Sequence, residues 1–502
     1  MSDSPAPPHP WIASSHTTAS GAIVAEAIAE VDPLAVFAHA AALPHVLFLD
    51  TALVDPERPA AEEAALPPLG RWSFVAADPI HRIDVPSPAD PAAVAAGFTA
   101  MRRLLADLAT PTIPGLPPFQ GGLAGLISYD AGLALLPLPA PPGEPPTVPL
   151  VAMHLYDVVF AFDHVLRRGW FISQGVPARG PEARRRRAAD RLAAFLAAPA
   201  AGPSRRQPRV AAAPAGTPLP SRPAIRTSHP PDRYRGMVRA GIDAVLAGDI
   251  FQVNLAQRLA VAADVDPVAV HLAARRINPA PFAACFDAGP SQLVSMSPER
   301  FLQAARGTVR MHPIKGTRRV IASPEADLYA GADLEASAKD RAENVMIVDL
   351  VRNDLARVCR PESVRVEALC RLERFRYVQH LVSVVAGRLR PGLGLVDAIE
   401  AAIPGGSVTG APKHRACEII SELEGIARGG YCGCLGYLGL DGTADLNLLI
   451  RTFVLGDGLV SFSAGGGVTA ASDPAAEHAE SLHKAEGMLR VLDALGIGGG
   501  SA

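Results

Sequence analysis

The sequence predicts an α+β fold. Apolar stretches with the two-residue alternation of strands are mixed with Ala-rich stretches of helical period, and they do not follow the regular strand–helix–strand rhythm of a doubly wound sheet. With 502 residues, 49% of them hydrophobic, the chain can bury a large core, and its length corresponds to roughly two to four domains.

The elements that carry this reading run in order along the chain. Val46-Leu-Phe-Leu49 and the stretch from Leu155 to Phe162 read as strands. From Ala197 to Pro231, Ala, Pro, Gly, Ser and Arg crowd together without apolar periodicity, which predicts a linker or long loop between an N-terminal region (15–196) and a C-terminal one (232–495). A helix follows from about Tyr234 to Ala247, ended by Gly248, and then a strand from Ile250 to Leu259. Glu343 opens an apolar helix from Asn344 to Leu355. Pro404-Gly-Gly-Ser-Val-Thr-Gly-Ala-Pro-Lys413 is a glycine-rich loop leading into a helix from Pro412 to Leu423, and such a loop is suited to cradling an anion. It lacks Walker spacing. A second cluster, Gly465, Gly466 and Gly467, follows an apolar strand from Leu459 to Phe462. Glu477, Glu480 and Lys484 then share one helix face.

Charge excludes some functions. A net charge of −3 is no footprint for nucleic acid, and the one basic run, Arg184 to Arg187, reads as the solvated face of a helix. No apolar stretch is long enough to span a membrane, and the start has no signal-peptide pattern, so the expected location is the cytoplasm. The six cysteines have neither disulfide-framework nor metal spacing.

Lysine usage is more informative. Only Lys315, Lys339, Lys413 and Lys484 stand among 47 basic residues. An amine can lose its proton and become a nucleophile or base, which a guanidinium cannot, so lysine in an arginine-rich chain points to places where that difference counts. Glu343 and a carboxylate of the Glu477 and Glu480 face, from separate helices, together with ligand oxygens would suit Mg2+.

These segments occur together and in order with further motifs: Gly70-Arg-Trp-Ser-Phe74, Pro118-Phe-Gln-Gly-Gly122, Asp249-Ile-Phe-Gln-Val-Asn-Leu255, Ser297-Pro-Glu-Arg300, Asp340-Arg-Ala-Glu-Asn344, His380-Leu-Val-Ser383 and Ile450-Arg-Thr452. On them the chain resembles component I of the anthranilate synthase and aminodeoxychorismate synthase family of chorismate-using enzymes, from about Leu43 to Leu492. The resemblance implies large mixed or antiparallel sheets flanked by helices, and chorismate as substrate. It implies Mg2+ held by Glu343 and Glu480, and chorismate carboxylates bound by Arg451, the Gly465–Gly467 amides and Lys484, with Thr409 and Gly410 lining the pocket. Glu299 would protonate the departing C4 hydroxyl, and His380 would lie beside the ring.

Two positions bear on the reaction. Where isochorismate-forming members carry a lysine base, this chain has Gln252. Where anthranilate synthases usually carry alanine, it has Lys315, the residue that aminodeoxychorismate synthases use as a covalent nucleophile. The resemblance therefore implies amination of chorismate at C4, with anthranilate synthesis as the rival and a non-catalytic binding homologue as a reading of another class. The Leu-Leu-Glu-Ser-type segment of tryptophan-inhibited members is replaced by Leu47-Phe48 and Asp50-Thr51. No cysteine stands in a glutaminase context, and the resemblance implies a separate glutamine amidotransferase subunit supplying ammonia.

Overall fold

The chain is described here from a computed structural model, which describes residues 9–52, 69–88, 90–136, 138–197, 214–320, 331–374 and 378–497. Among them are two large sheets, of fourteen and ten strands, with antiparallel pairing at the junctions that matter for the site. The α+β class expected from the sequence is the class observed.

Three clusters of buried residues define the layers. One draws on both sheets, with Phe74 and Phe286 from the larger and Leu126 and Tyr437 from the smaller, so the sheets pack face to face. Phe119 stacks on Tyr437 in that layer at 4.6 Å between ring centroids. The other two clusters cover the outer faces with helices such as Ala338–Ala356 on the smaller sheet and Pro474–Ala494 on the larger. Each fully buried large apolar side chain in these layers contributes roughly 1.5–3 kcal/mol.

The two regions marked off by composition share both sheets. Leu47–Asp50 pairs with Phe282–Asp287 in the larger, and Gly122–Ile127 pairs with Cys434–Gly439 in the smaller. Within the stretch read as a linker, residues 198–213 lie outside the described residues. Beyond them, Thr217–Leu219 and Arg222–Thr227 form a hairpin at one edge of the larger sheet. Its backbone pairing, together with Arg222 Nη2 at 2.8 Å from Asp493 Oδ2, holds a segment whose side chains show no apolar period.

Other expectations are corrected in detail. The stretch read as one strand from Leu155 is two, Val151–Tyr156 in the smaller sheet and Val158–Asp163 in the larger. The chain changes sheets at buried Asp157, whose carboxylate accepts from Arg191 Nε at 3.1 Å. The glycine cluster at 465–467 lies inside the strand Leu459–Val468, because it pairs along its whole length with Gln252–Ala262. The helix carrying Glu343 is Ala338–Ala356 and starts at the Ser337 cap, which leaves Glu343 inside it. Pro412 caps the helix Lys413–Glu424 instead of opening it. The basic run lies on the helix Pro181–Leu196, but Arg184 and Arg187 turn inward and donate to the carbonyls of Gln174 and Val176.

All six cysteines are buried free thiols. Among the described residues no helix is long and apolar enough to cross a membrane.

Candidate active site

The predicted residues converge where the chain passes between the sheets. Glu299 stands in the step from Gln292–Ser297 in the larger sheet to Arg300–Ala305 in the smaller. Arg451 stands in the step from Ala444–Leu448 back to Thr452–Gly456. The two crossings are tied together: Leu448 N donates to Glu299 O at 3.0 Å, and Met296 N donates to Arg451 O at 3.0 Å. Arg451 takes a left-handed backbone, φ 53°, which non-glycine residues rarely adopt and which turns the chain sharply at this point. Its side chain has no carboxylate partner among the described residues, and burial lowers its affinity for its own proton. A half-buried guanidinium with no carboxylate partner among the described residues suits an anion.

Lys315 lies on the strand Ile314–Arg319, at the edge of the smaller sheet beside Val378–Arg388. A β-bulge falls between Lys315 and Thr317, at Gly316. Gly316 has φ 78°, and a Cβ there would stand 2.8 Å from Leu334 Cδ1, so only glycine fits. The Lys315 amine donates to the Ser407 carbonyl at 3.0 Å. Burial pulls its pKa below the usual lysine range. Glu343 and Glu299 oppose that shift, Lys484 adds to it, and Glu480 opposes it more weakly. The amine therefore faces acidic and basic groups from both helical layers.

Glu299 is buried, and its Oε1 accepts from Ser407 Oγ at 2.7 Å. Burial pushes its pKa up to about 7, against the pull of that hydroxyl, the Lys315 ammonium and the Ile314 amide. Such a carboxyl can carry a proton at neutral pH and release it to a leaving group. His380, buried on Val378–Arg388, is pushed down to about 4 by burial and by Arg451, against a backbone hydrogen bond with Gly316. It faces the site as a neutral ring.

On the opposite wall, Gly466 lies under the helix Pro474–Ala494. A Cβ on it would stand 3.1 Å from Glu477 Oε2, 3.4 Å from Lys484 Nζ and 3.7 Å from Glu480 Oε1. Lys484 binds Glu480 at 2.7 Å and the Gly465 carbonyl at 3.1 Å. Burial works against ionisation of Glu480, but Lys484 overcomes it and holds the carboxyl below its ordinary value. The strand Leu459–Val468 runs past its other neighbour, with Val454↔Ser461 as the pair nearest Gly465–Gly467, so among the described residues no strand covers that edge of the three glycines. Their outward amides remain available to a ligand. Gln252 fills the space on the far side, its Nε2 lying 2.2 Å from where a Cβ on Gly467 would be.

The glycine-rich loop has a different role from the anion cradle expected of it. Gly410–Ala411 pairs with Gln252 and Val253, which separates the loop from the helix N-terminus. Thr409 is buried, and its hydroxyl turns back to the Gly405 carbonyl at 2.9 Å. Instead the loop delivers Ser407, which grips both Lys315 and Glu299. Lys413, at the helix start, is structural: it pairs with buried Asp354 at 2.7 Å and donates to the Ala402 carbonyl at 2.9 Å.

Comparison with known proteins identifies the family. Residues 60–490 match the family described as chorismate binding enzyme. The chain belongs to the chorismate binding enzymes. It is 40% identical to anthranilate synthase component 1 of Streptomyces coelicolor, over 84% of this chain and 81% of that protein. It is also 40% identical to aminodeoxychorismate synthase component 1 of Klebsiella aerogenes, over 75% of this chain and 78% of that protein. The crystal structure of anthranilate synthase component I from Streptococcus pneumoniae superposes with a TM-score of 0.69 at 29% identity, covering 87% of this chain and 95% of that one.

Within the chorismate binding enzyme fold, the donor set suits a hard divalent cation. Glu343, Glu480 and Glu477 are oxygen donors from two helices. Lys315 and, after it, Lys339, whose Nζ lies 4.0 Å from Glu343 Oε1, are the positive charges acting on the Glu343 carboxyl. Among the described residues no three potential ligands already form a cage. A hard divalent cation of this kind takes one or two protein carboxylates and completes its shell with water or ligand oxygens.

Sequence reading missed Ser407, for which a serine in a glycine loop gave no signal. It named Glu477 only as part of a helix face, yet this carboxyl is buried and accepts from Ser472 Oγ at 2.7 Å. Asn344 was also missed as a brace. Its Nδ2 donates to the Leu381 carbonyl at 3.1 Å, fixing the helix that carries Glu343 against the strand that carries His380.

Proposed function

We propose that this chorismate binding enzyme aminates chorismate at C4 to give 4-amino-4-deoxychorismate, using Mg2+ and ammonia from a glutamine amidotransferase subunit. The observation that carries the reading is Lys315, an amine with depressed basicity and both reach and support beside a carboxyl titrating near neutrality.

Arg451, Lys484 and the Gly465–Gly467 amides receive the substrate carboxylates. Glu343 and Glu480 would hold Mg2+, which when bound supplies positive charge against a ring carboxylate. The neutral Lys315 amine adds at C2, the ring double bond shifts, and the C4 hydroxyl departs as water with the proton of Glu299. Ammonia then adds at C4, the double bond returns, and Lys315 leaves as the free amine. The excess proton on the new amino group restores Glu299. Two easier displacements replace one hard one.

The identity to the Streptomyces coelicolor protein favours a second reading, anthranilate synthesis. Incubating the chain with chorismate, Mg2+ and ammonium and resolving products by mass spectrometry separates the two. 4-Amino-4-deoxychorismate is expected; anthranilate as main product overturns the assignment, and no product with an active glutaminase partner present favours a binding protein.

A further inference from the structure

Three of the four lysines have roles in the structure described above: Lys315 beside Glu299, Lys413 on Asp354, and Lys484 on Glu480. Lys339 has none. It lies one helical turn before Glu343, its side chain 62% exposed, with Nζ 4.0 Å from Glu343 Oε1. That is too long for a hydrogen bond and leaves the ammonium free to move. Its charge reaches Glu343 after that of Lys315, Glu480 after that of Lys484, and Glu477 ahead of that of Lys484, the three carboxylates drawn from the two helices. The helix Ala338–Ala356 carries Arg341 and Arg352 elsewhere, so the chain uses arginine on this helix where a fixed positive charge suffices. An ammonium is a compact, strongly hydrated point charge, closer in character to a hydrated metal ion than a guanidinium fork is. It can neutralise carboxylates and then withdraw to solvent on its flexible stem.

We propose that Lys339 is the resident counter-ion of the divalent-cation site, a positioning residue that keeps Glu343 facing Glu477 and Glu480 and is displaced when the ion enters. This rests on the reading that Glu343 and Glu480 hold Mg2+. Lys339 then competes with the metal in the free enzyme. Tight metal binding awaits the substrate, whose carboxylates add the negative charge that outweighs the ammonium.

The test is Mg2+ binding by calorimetry, without chorismate, to the wild-type chain and to Lys339→Met. Removing one half-exposed like charge should tighten Mg2+ about three- to tenfold. The gain should shrink as ionic strength rises, because screening weakens the competing charge. Lys339→Arg should bind Mg2+ no more tightly than wild type. Equal or weaker binding by Lys339→Met, with unchanged far-ultraviolet circular dichroism, overturns the proposal while leaving the metal reading intact. Failure of the wild type to bind Mg2+ either alone or with chorismate overturns both.

Discussion

Lys315 and Glu299 are held by opposite ends of one residue: the Lys315 amine donates to the Ser407 carbonyl at 3.0 Å, and the Ser407 hydroxyl donates to Glu299 Oε1 at 2.7 Å. The nucleophile and the acid of the proposed reaction are therefore registered to each other through a single loop position. Neither can shift without disturbing the other's partner.

Lys315→Ala should abolish amination at C4, by about 1,000-fold or more, while chorismate affinity measured by calorimetry stays within about threefold, because the carboxylate-binding groups are untouched. Wild-type-like turnover in this variant would remove the covalent route. Lys315→Arg should be equally inactive, since a guanidinium cannot deprotonate to attack.

The pH profile should show a break near 7, where Glu299 loses the proton it must donate. Protonation of Lys315 blocks attack toward acid, and burial, which weakens that amine's hold on its proton, keeps attack possible at lower pH than for an ordinary lysine. His380, pushed down to about 4, contributes no break near neutrality. Ser407→Ala removes a hydrogen bond that favours the Glu299 carboxylate, so the Glu299 limb should move upward. A limb that stays in place would show that Glu299 is not the acid. The same shift links to stability: the folded chain binds the Glu299 proton more tightly than the unfolded chain. That contribution is complete below the ordinary carboxylate range and is lost as pH rises through about 7.

Chelation should stop turnover, with recovery on adding Mg2+. Glu343→Gln and Glu480→Gln should each raise the Mg2+ concentration for half-maximal rate by about tenfold or more, because each removes a charged oxygen donor. A titration unchanged in either variant would exclude that residue as a ligand.

Gly466→Ala should raise KM for chorismate by about tenfold while leaving the chain folded. The added methyl stands 3.1 Å from Glu477 Oε2 and 3.4 Å from Lys484 Nζ, so the ends of these side chains must shift. Steady-state kinetics beside a thermal melt would separate a local displacement from general destabilisation.

The candidate site residues were legible because they are chemically unusual where they stand. A lysine in an arginine-rich chain, paired acids at helical spacing and three consecutive glycines each imply a demand that ordinary packing does not make. Helices were legible to within a few residues: Tyr234 to Ala247 was read for Pro231–Leu246, with Gly248 at φ 83° just beyond it. Less legible were segments with few apolar residues that pair with distant strands. The hairpin from Thr217 to Thr227 and the strand through Gly465–Gly467 contain stretches of side chains that resemble loops, and ladder bonds to other strands act beside the Arg222–Asp493 ion pair and a few buried side chains such as Ile225 and Phe462 in holding them.

By itself, the sequence determined the α+β class and the family and named the candidate site residues, because composition, local period and motif order are properties of the chain. Only the tertiary structure decided how they meet. It joined the two compositional regions in shared sheets, set Glu299 and Arg451 in adjacent crossings between those sheets, and gave Ser407 its double grip. The partners at these contacts are far apart in sequence, at 92 residues for Lys315 and Ser407 and 108 for Ser407 and Glu299. The burial that depresses the basicity of Lys315 and raises the pKa of Glu299 exists only once both sheets have closed over them.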